Sequence, residues 1–363
     1  MKKISNKAYW CITCMCIVVV LGVISMVTIF LVPYFHYHKP MDEISYTLYN
    51  ERYQNDGISR NFEYDTIITG SSMVQNFKTS ECDEIFGVNS IKVPFSGATY
   101  KEIIDNLKRA FQSDNSIKYV IRCLDYSRLV QPADSMNESV EFPEYMTNDT
   151  IYDDVHYFLN KTIIYNDTLK MIFNTISGKE PTSFDDYSNT TSYFTYGKQS
   201  VLESYSLGEK KDVQRMLTDE EVLMIRENIR ENVVKLAEEQ TDTQFYLFFP
   251  PYSICYWDEL NQNNEIDWRI QEEKIAIEEL LDVSNIKLYS FCDNAELVCN
   301  LNNYKDQAHY GEWINSDILQ WIKSDVGIIT EENYLQYINN IEKIYTSYDY
   351  ETLHMTENGK HAI

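Results

Sequence analysis

Two short stretches, far apart in the chain, carry residue types that can do nucleophilic chemistry together. The first is Gly70-Ser71-Ser72, which closes an apolar run and opens a helical pattern in TGSSMVQNF. A strand that turns sharply into a helix leaves a hydroxyl exposed at the turn, with backbone N–H groups beside it. A nucleophilic serine needs that exposure, and a developing oxyanion needs those donors. Taken alone, a serine after glycine at a helix start also suits an N-cap. The second stretch is NNYKDQAHYGEW, which sets Asp306 three residues before His309 in a loop ahead of an amphipathic helix. A carboxylate on Nδ1 fixes the histidine tautomer and leaves Nε2 free to take a serine proton. A local hydrogen bond at a helix start is the other reading of His309. Together the two stretches point to one serine of the pair Ser71 and Ser72 as nucleophile, His309 as base and Asp306 as its orienting acid.

The elements that must position these groups alternate along the chain. YDTIIT, SIKVPF, IKYVIRCLD, TQFYLFFPP and IKLYSFC, starting at Tyr64, Ser90, Ile117, Thr243 and Ile286, are near-continuous apolar runs. Runs of that kind suit strands buried on both faces. Between them lie helical patterns. TYKEIIDNLKRAF groups Ile103, Ile104, Leu107 and Phe111 on one side. LTDEEVLMIRENIRENVVKLAEEQ opens with Thr218 and Glu221 as a capping box, and IDWRIQEEKIAIEELL forms a third helix. The βαβ series predicts an α/β fold: a three-layer α/β/α sandwich around a parallel sheet, preceded by one transmembrane helix. Residues 62–325 form this domain. An insertion at about 126–217, polar and aromatic, is expected over the C-terminal edge of the sheet, where such sheets bind ligands. A lid is one role for it and a passive surface excursion is another. Residues 326–363 read as a C-terminal helical tail.

The order of the blocks resembles the SGNH/GDSL hydrolase superfamily, whose fold is flavodoxin-like. The third residue of that family's G-D-S block is the nucleophile, which maps onto Ser72 and leaves Ser71 in the aspartate's place. Its D-x-x-H block maps onto Asp306 and His309. The resemblance implies an oxyanion hole made by the N–H groups of Ser72 and of Gly97 in PFSGATYKE. The family's third donor is an asparagine after strand three, where this chain has Asp125 in CLDYS. An ionised carboxylate cannot donate a hydrogen bond. Either burial keeps Asp125 protonated, or it has another role, or the hole is reduced to Ser72 and Gly97. The blocks, with the N-terminal span, are similar to a membrane-tethered branch. It includes the D-alanyl transfer protein of lipoteichoic acid and the alginate O-acetylation proteins. That likeness implies a membrane-bound O-acyltransferase as partner and a cell-surface glycopolymer as substrate.

The remaining features bound the rest. A net charge of −25 leaves no basic stripe, which argues against nucleic acid as a partner. The 44% hydrophobic content suffices for a real core. From Ala8 to Tyr34 there is no charged residue, enough helix for a ~30 Å hydrocarbon core. Residues 1–7 are expected in the cytoplasm, 8–34 in the membrane and 35–61 as a stalk, since Lys2, Lys3 and Lys7 precede the span. The run ends in LVPYFHYHKP rather than small residues, which favours an uncleaved anchor over a cleaved signal peptide. The catalytic domain is then extracellular, with the lipid bilayer as a partner through the span. Beyond the span no further amphipathic membrane-facing stretch is evident. Cys11, Cys14 and Cys16 lie within the span; Cys82, Cys123, Cys255, Cys292 and Cys299 are scattered, with a Cys292–Cys299 disulfide one option. Neither cysteine nor histidine spacing suggests a metal, and no cofactor is implied. Sequons begin at Asn137, Asn148, Asn160, Asn166 and Asn189. An enzyme acting on esters is the reading that uses Ser72, Asp306 and His309 together. The alternative is a non-catalytic module that binds glycopolymer or scaffolds an acyltransferase, a reading that Asp125 motivates.

Overall fold

All five apolar runs become strands of one six-stranded sheet in the computed structural model, which describes residues 5–148, 150–204 and 210–354. The strands are β1 (Thr66–Gly70), β2 (Ser90–Pro94), β3 (Tyr119–Cys123), β4 (Gln244–Phe249), β5 (Ile286–Ser290) and β6 (Ile328–Ile329). Their order is β2-β1-β3-β4-β5-β6. From β2 to β5 every pairing is parallel, with Ile67 opposite Ile91 on one side and Val120 on the other. The central sheet is parallel as the sequence predicts, and one edge strand, β6, adds to it antiparallel with β5 through Leu288–Ile329 and Tyr289–Ile328. A two-residue edge strand leaves no apolar run to read, and antiparallel edges on parallel sheets are common.

Burial explains why these runs carry no polar alternation. Ile67, Ile68, Val120, Ile121, Leu247 and Phe248 are fully buried, covered by helices on both faces of the sheet. Burial of each such side chain contributes about 1.5–3 kcal/mol. Helices Tyr100–Phe111, Asp219–Ile229, Ile266–Leu281 and Tyr334–Ser347 build one outer layer, and Thr79–Phe86 pairs with Glu312–Lys323 in the other. Both sequence-legible helix starts carry complete capping boxes, Thr99 with Glu102 and Thr218 with Glu221. Cys292 and Cys299 are both free thiols, so the disulfide option is not realised.

The chain divides into two compact units: Glu63–Ser139 with Phe184–Ile363, which holds the sheet, and Met1–Phe62 with Val140–Ser183. The second of these contains helix Asn6–Leu31, long and apolar enough to cross a membrane. Residues 35–61, expected as a stalk, include helix Glu51–Asn61, which buries polar residues: Gln54, Asn55, Asp56 and Ser59. Gln54 alone ties four backbone groups: it donates to Pro33 and Thr47 carbonyls and accepts from the N–H groups of Tyr49 and Asn50. A Cβ at Gly57 would sit 2.3 Å from the Tyr34 carbonyl oxygen, so only glycine admits this approach. Residues 126–217 are therefore shared, Val140–Ser183 with this unit and the rest with the sheet. Lys2 and Lys3, and residues 355–363 of the expected C-terminal tail, lie outside the described residues.

Candidate active site

The β1 strand ends at Gly70, and the chain enters a single 3-10 turn, Ser72–Val74, with Ser71 as its N-cap. The Ser72 Oγ lies 2.8 Å from His309 Nε2. On the far side of the ring, Nδ1 is 2.9 Å from each Asp306 oxygen. Asp306 Oδ1 also accepts the backbone N–H groups of Ala308 (3.0 Å) and His309 (2.8 Å), so the turn itself aims the carboxylate. Burial opposes the Asp306 charge, but the hydrogen bonds from His309 and the backbone outweigh it and hold the carboxyl below its usual range. An ionised Asp306 on Nδ1 requires the proton there, leaving Nε2 to accept from Ser72. The three groups form one continuous hydrogen-bond chain across a sequence separation of 237 residues.

Ser71 and Ser72, which sequence does not separate beyond the block alignment, have different partners. Ser71 is buried and donates to Asp125 Oδ2 at 2.6 Å. Asp125 Oδ1 accepts from Ser127 N (3.0 Å), Ser127 Oγ (2.8 Å) and Tyr252 OH (2.8 Å). Both carboxyl oxygens of Asp125 thus face donors, and no position on the side chain is turned to donate to an oxyanion. Its geometry is that of a clamp between the turn after β3 and the turn after β1. These strands flank the point where the strand order reverses, the place where open α/β sheets bind ligands.

Neither the Ser72 nor the Gly97 backbone N–H donates a turn or loop hydrogen bond among the described residues. Gly97 has φ +67°, a left-handed conformation that favours glycine, and its carbonyl accepts from Arg128 Nη2 and Asn137 Nδ2, both at 2.8 Å.

Several supporting contacts escaped the sequence. The Ser253 Oγ (2.7 Å) and N–H (3.0 Å) both donate to the Gln307 carbonyl, inside the Asp306–His309 loop. Tyr304 OH donates to the Pro251 carbonyl at 2.8 Å, so the double proline of FFPPYS braces that loop. Asn315, buried in the helix after His309, donates to the Met73 carbonyl at 3.1 Å and ties that helix to the serine turn. The later part of the insertion also frames the site. Thr190 N donates to Asn76 Oδ1 at 2.8 Å, Gly197 N to the Tyr304 carbonyl at 2.9 Å, and the rings of Tyr196 and Trp313 meet edge-on. None of these has a motif; the one signal available was the proline pair. Among the described residues no group of three or more His, Cys, Asp or Glu is arranged to hold a metal ion.

No protein-family model matches the chain, and no curated protein does. Four solved chains match it. One of them, a Streptococcus pneumonia chain described as a candidate platelet activating factor, shares 9% identity with a TM-score of 0.40, covering 76% of this chain and 90% of that one.

Proposed function

We propose that this protein is a membrane-anchored serine esterase or O-acyltransferase acting on acyl esters. The observation that carries the reading is the Ser72–His309–Asp306 hydrogen-bond chain, with its contacts of 2.8 and 2.9 Å. Ser72 attacks the ester carbonyl as its proton moves to His309 Nε2. The tetrahedral oxyanion takes hydrogen bonds from the N–H groups of Ser72 and Gly97. Collapse expels the alkoxide, which receives the proton from His309 and leaves an acyl-Ser72 ester. Water or an acceptor hydroxyl, deprotonated by His309, then releases the acyl group. Asp306 stays ionised throughout and stabilises the imidazolium.

Asp125 bears on the kind of acyl transfer. Without a side-chain oxyanion donor, the hole has two N–H groups, and one missing donor typically lowers the rate by ~10²–10³. Modest free hydrolysis suits a transferase whose acyl group comes from a membrane-bound O-acyltransferase. The acceptor is then a cell-surface polysaccharide or teichoic acid. Helix Asn6–Leu31 anchors the chain, with Lys7 on the cytoplasmic side and the sheet outside the cell. The aromatic surface of Tyr196 and Trp313 offers stacking area for a sugar ring. The same lack of a third donor favours the second reading, a non-catalytic module that binds glycopolymer. Turnover of p-nitrophenyl acetate by the full chain separates the two. We expect turnover that is lost in both Ser72→Ala and His309→Ala; turnover unchanged in both variants rules the mechanism out.

A further inference from the structure

The segment 151–176 buries several polar side chains while it leaves large apolar ones outside. After the short turns of residues 151–158, a π-helical turn, Ile163–Thr168, runs directly into helix Leu169–Ile176. The side turned into the unit is mixed: Ile163 and Met171 are buried there beside the polar Asp167, Thr168 and Asn174. Asp167 accepts from the hydroxyls of Tyr34 (2.9 Å) and Tyr49 (2.5 Å), Thr168 donates to Thr28 Oγ1 at 3.4 Å, and Asn174 donates to Thr47 Oγ1 at 3.4 Å. The opposite side is apolar and bare: Tyr165 is 63% exposed, Leu169 47%, Phe173 70% and Ile176 81%. A helix facing water on a soluble protein presents polar residues on that side, and contiguous bare apolar patches mark an interaction surface.

We propose that this face lies in the interfacial layer of the same bilayer that helix Asn6–Leu31 crosses. The occupant follows from continuity. Thr28 is inside the apolar helix, near its C-terminal end, and Thr168 packs against it. Residues of the segment therefore sit level with the last turn of the span, at the depth where hydrocarbon gives way to headgroups. The segment's charges agree. Lys161 and Lys170 are exposed in the segment, where Asp154 and Asp167 are buried and Asp153 is half-buried, and Lys179 and Glu180 are exposed just beyond it. Lysines flanking a bare apolar face suit anionic headgroups above acyl chains. The span together with this segment would hold the unit by two attachments, fixing its rotation on the membrane rather than only tethering it.

The inference rests on the reading of Asn6–Leu31 as a membrane span, and the test separates the two. The photoreactive residue benzoylphenylalanine is placed singly at Val20, Phe173 or Tyr193 in the full chain, in nanodiscs of mixed phosphatidylglycerol and phosphatidylethanolamine and in cell membranes. Tyr193, 79% exposed, belongs to the other unit. After irradiation, mass spectrometry reads lipid adducts. Adducts at Val20 and Phe173, with none at Tyr193, are expected. Adducts at Val20 with none at Phe173 overturn this inference alone. A protein adduct at Phe173 in cell membranes assigns the face to a protein partner and overturns it as well. No lipid adduct at Val20 removes the span reading itself.

Discussion

Replacing Asp125 by asparagine gives the sharpest test of how the nucleophile turn is held. The new amide would keep a carbonyl oxygen at the Oδ1 position, with its contacts to Ser127 N, Ser127 Oγ and Tyr252 OH. It would place an NH₂ where Oδ2 of Asp125 now accepts from Ser71 at 2.6 Å. Ser71 must then turn from donor to acceptor, and its capping contact with Met73 N, 3.5 Å in length, is disturbed. A hydrogen bond to a charged group contributes about 1.5–3 kcal/mol and a neutral one about 0.5–1.5. Weakening the set therefore costs about 1–3 kcal/mol, which lowers Tm by roughly 2–10 °C at this size. Ser72 follows Ser71 directly, and a shift of the turn displaces its Oγ from His309. Misplacement of up to 1 Å lowers rate by up to ~10²-fold. We expect Asp125→Asn to slow fluorophosphonate modification of Ser72 by ~10–100-fold, read by intact-mass kinetics beside a thermal melt. Were Asp125 instead a defective oxyanion donor, asparagine would restore the donor and raise the rate by ~10²–10³. A gain of that size would refute the clamp.

Three further outcomes follow from the same geometry. Gly97→Ala puts a side chain on a residue at φ +67°, with its Cβ 3.3 Å from Asn137 Nδ2. It should lower stability by about 1–2 kcal/mol and slow Ser72 modification together, and an unchanged modification rate would detach Gly97 from the site. Ser253→Ala removes the 2.7 Å bond to the Gln307 carbonyl. Denaturant titration should show a loss of about 1 kcal/mol, with slower labelling still confined to Ser72; labelling at the native rate would show that the His309 loop needs no brace. Glu272 lies buried beside Arg269; burial pushes its carboxyl from about 4.5 up to about 7 against the pull of that guanidinium. The folded state then binds more protons than the unfolded one across that window. Stability falls as pH rises from about 4.5 to 7, by about 3 kcal/mol from this group. Thermal melts of Glu272→Gln should show a flatter pH dependence, and an unchanged slope contradicts the assignment.

How far the sequence reaches depends on which way polarity faces. The strands β1 to β5 were legible because burial on both sides leaves unbroken apolar runs, and Thr99 and Thr218 were legible as caps because capping is local. The Ser72–His309 contact was inferable only as a pair of blocks in the right order, since nothing local joins residues 237 apart. The work of Ser71, Tyr252, Ser253 and Asn315 was not legible, because each acts through hydrogen bonds to a distant loop and hydroxyls and amides carry no pattern. Helix Glu51–Asn61 was hidden for a related reason. Its inward residues are Gln54, Asn55, Asp56, Gly57, Ile58 and Ser59, with Ile58 the one large apolar side chain among them, so its period is absent from a reading of apolar spacing. Residues 163–176 mix the two senses, with Ile163, Asp167 and Met171 inward and Leu169 and Phe173 outward, so their apolar spacing does not report which side is exposed.

The most direct test of the central claim is fluorophosphonate labelling of the full-length chain in detergent, with peptide mapping of the modified residue. A single adduct on Ser72, absent in His309→Ala and strongly slowed in Asp306→Asn, is the expected result. Folded protein that takes no adduct, or takes it on Ser71, would contradict the assignment of Ser72 as an activated nucleophile.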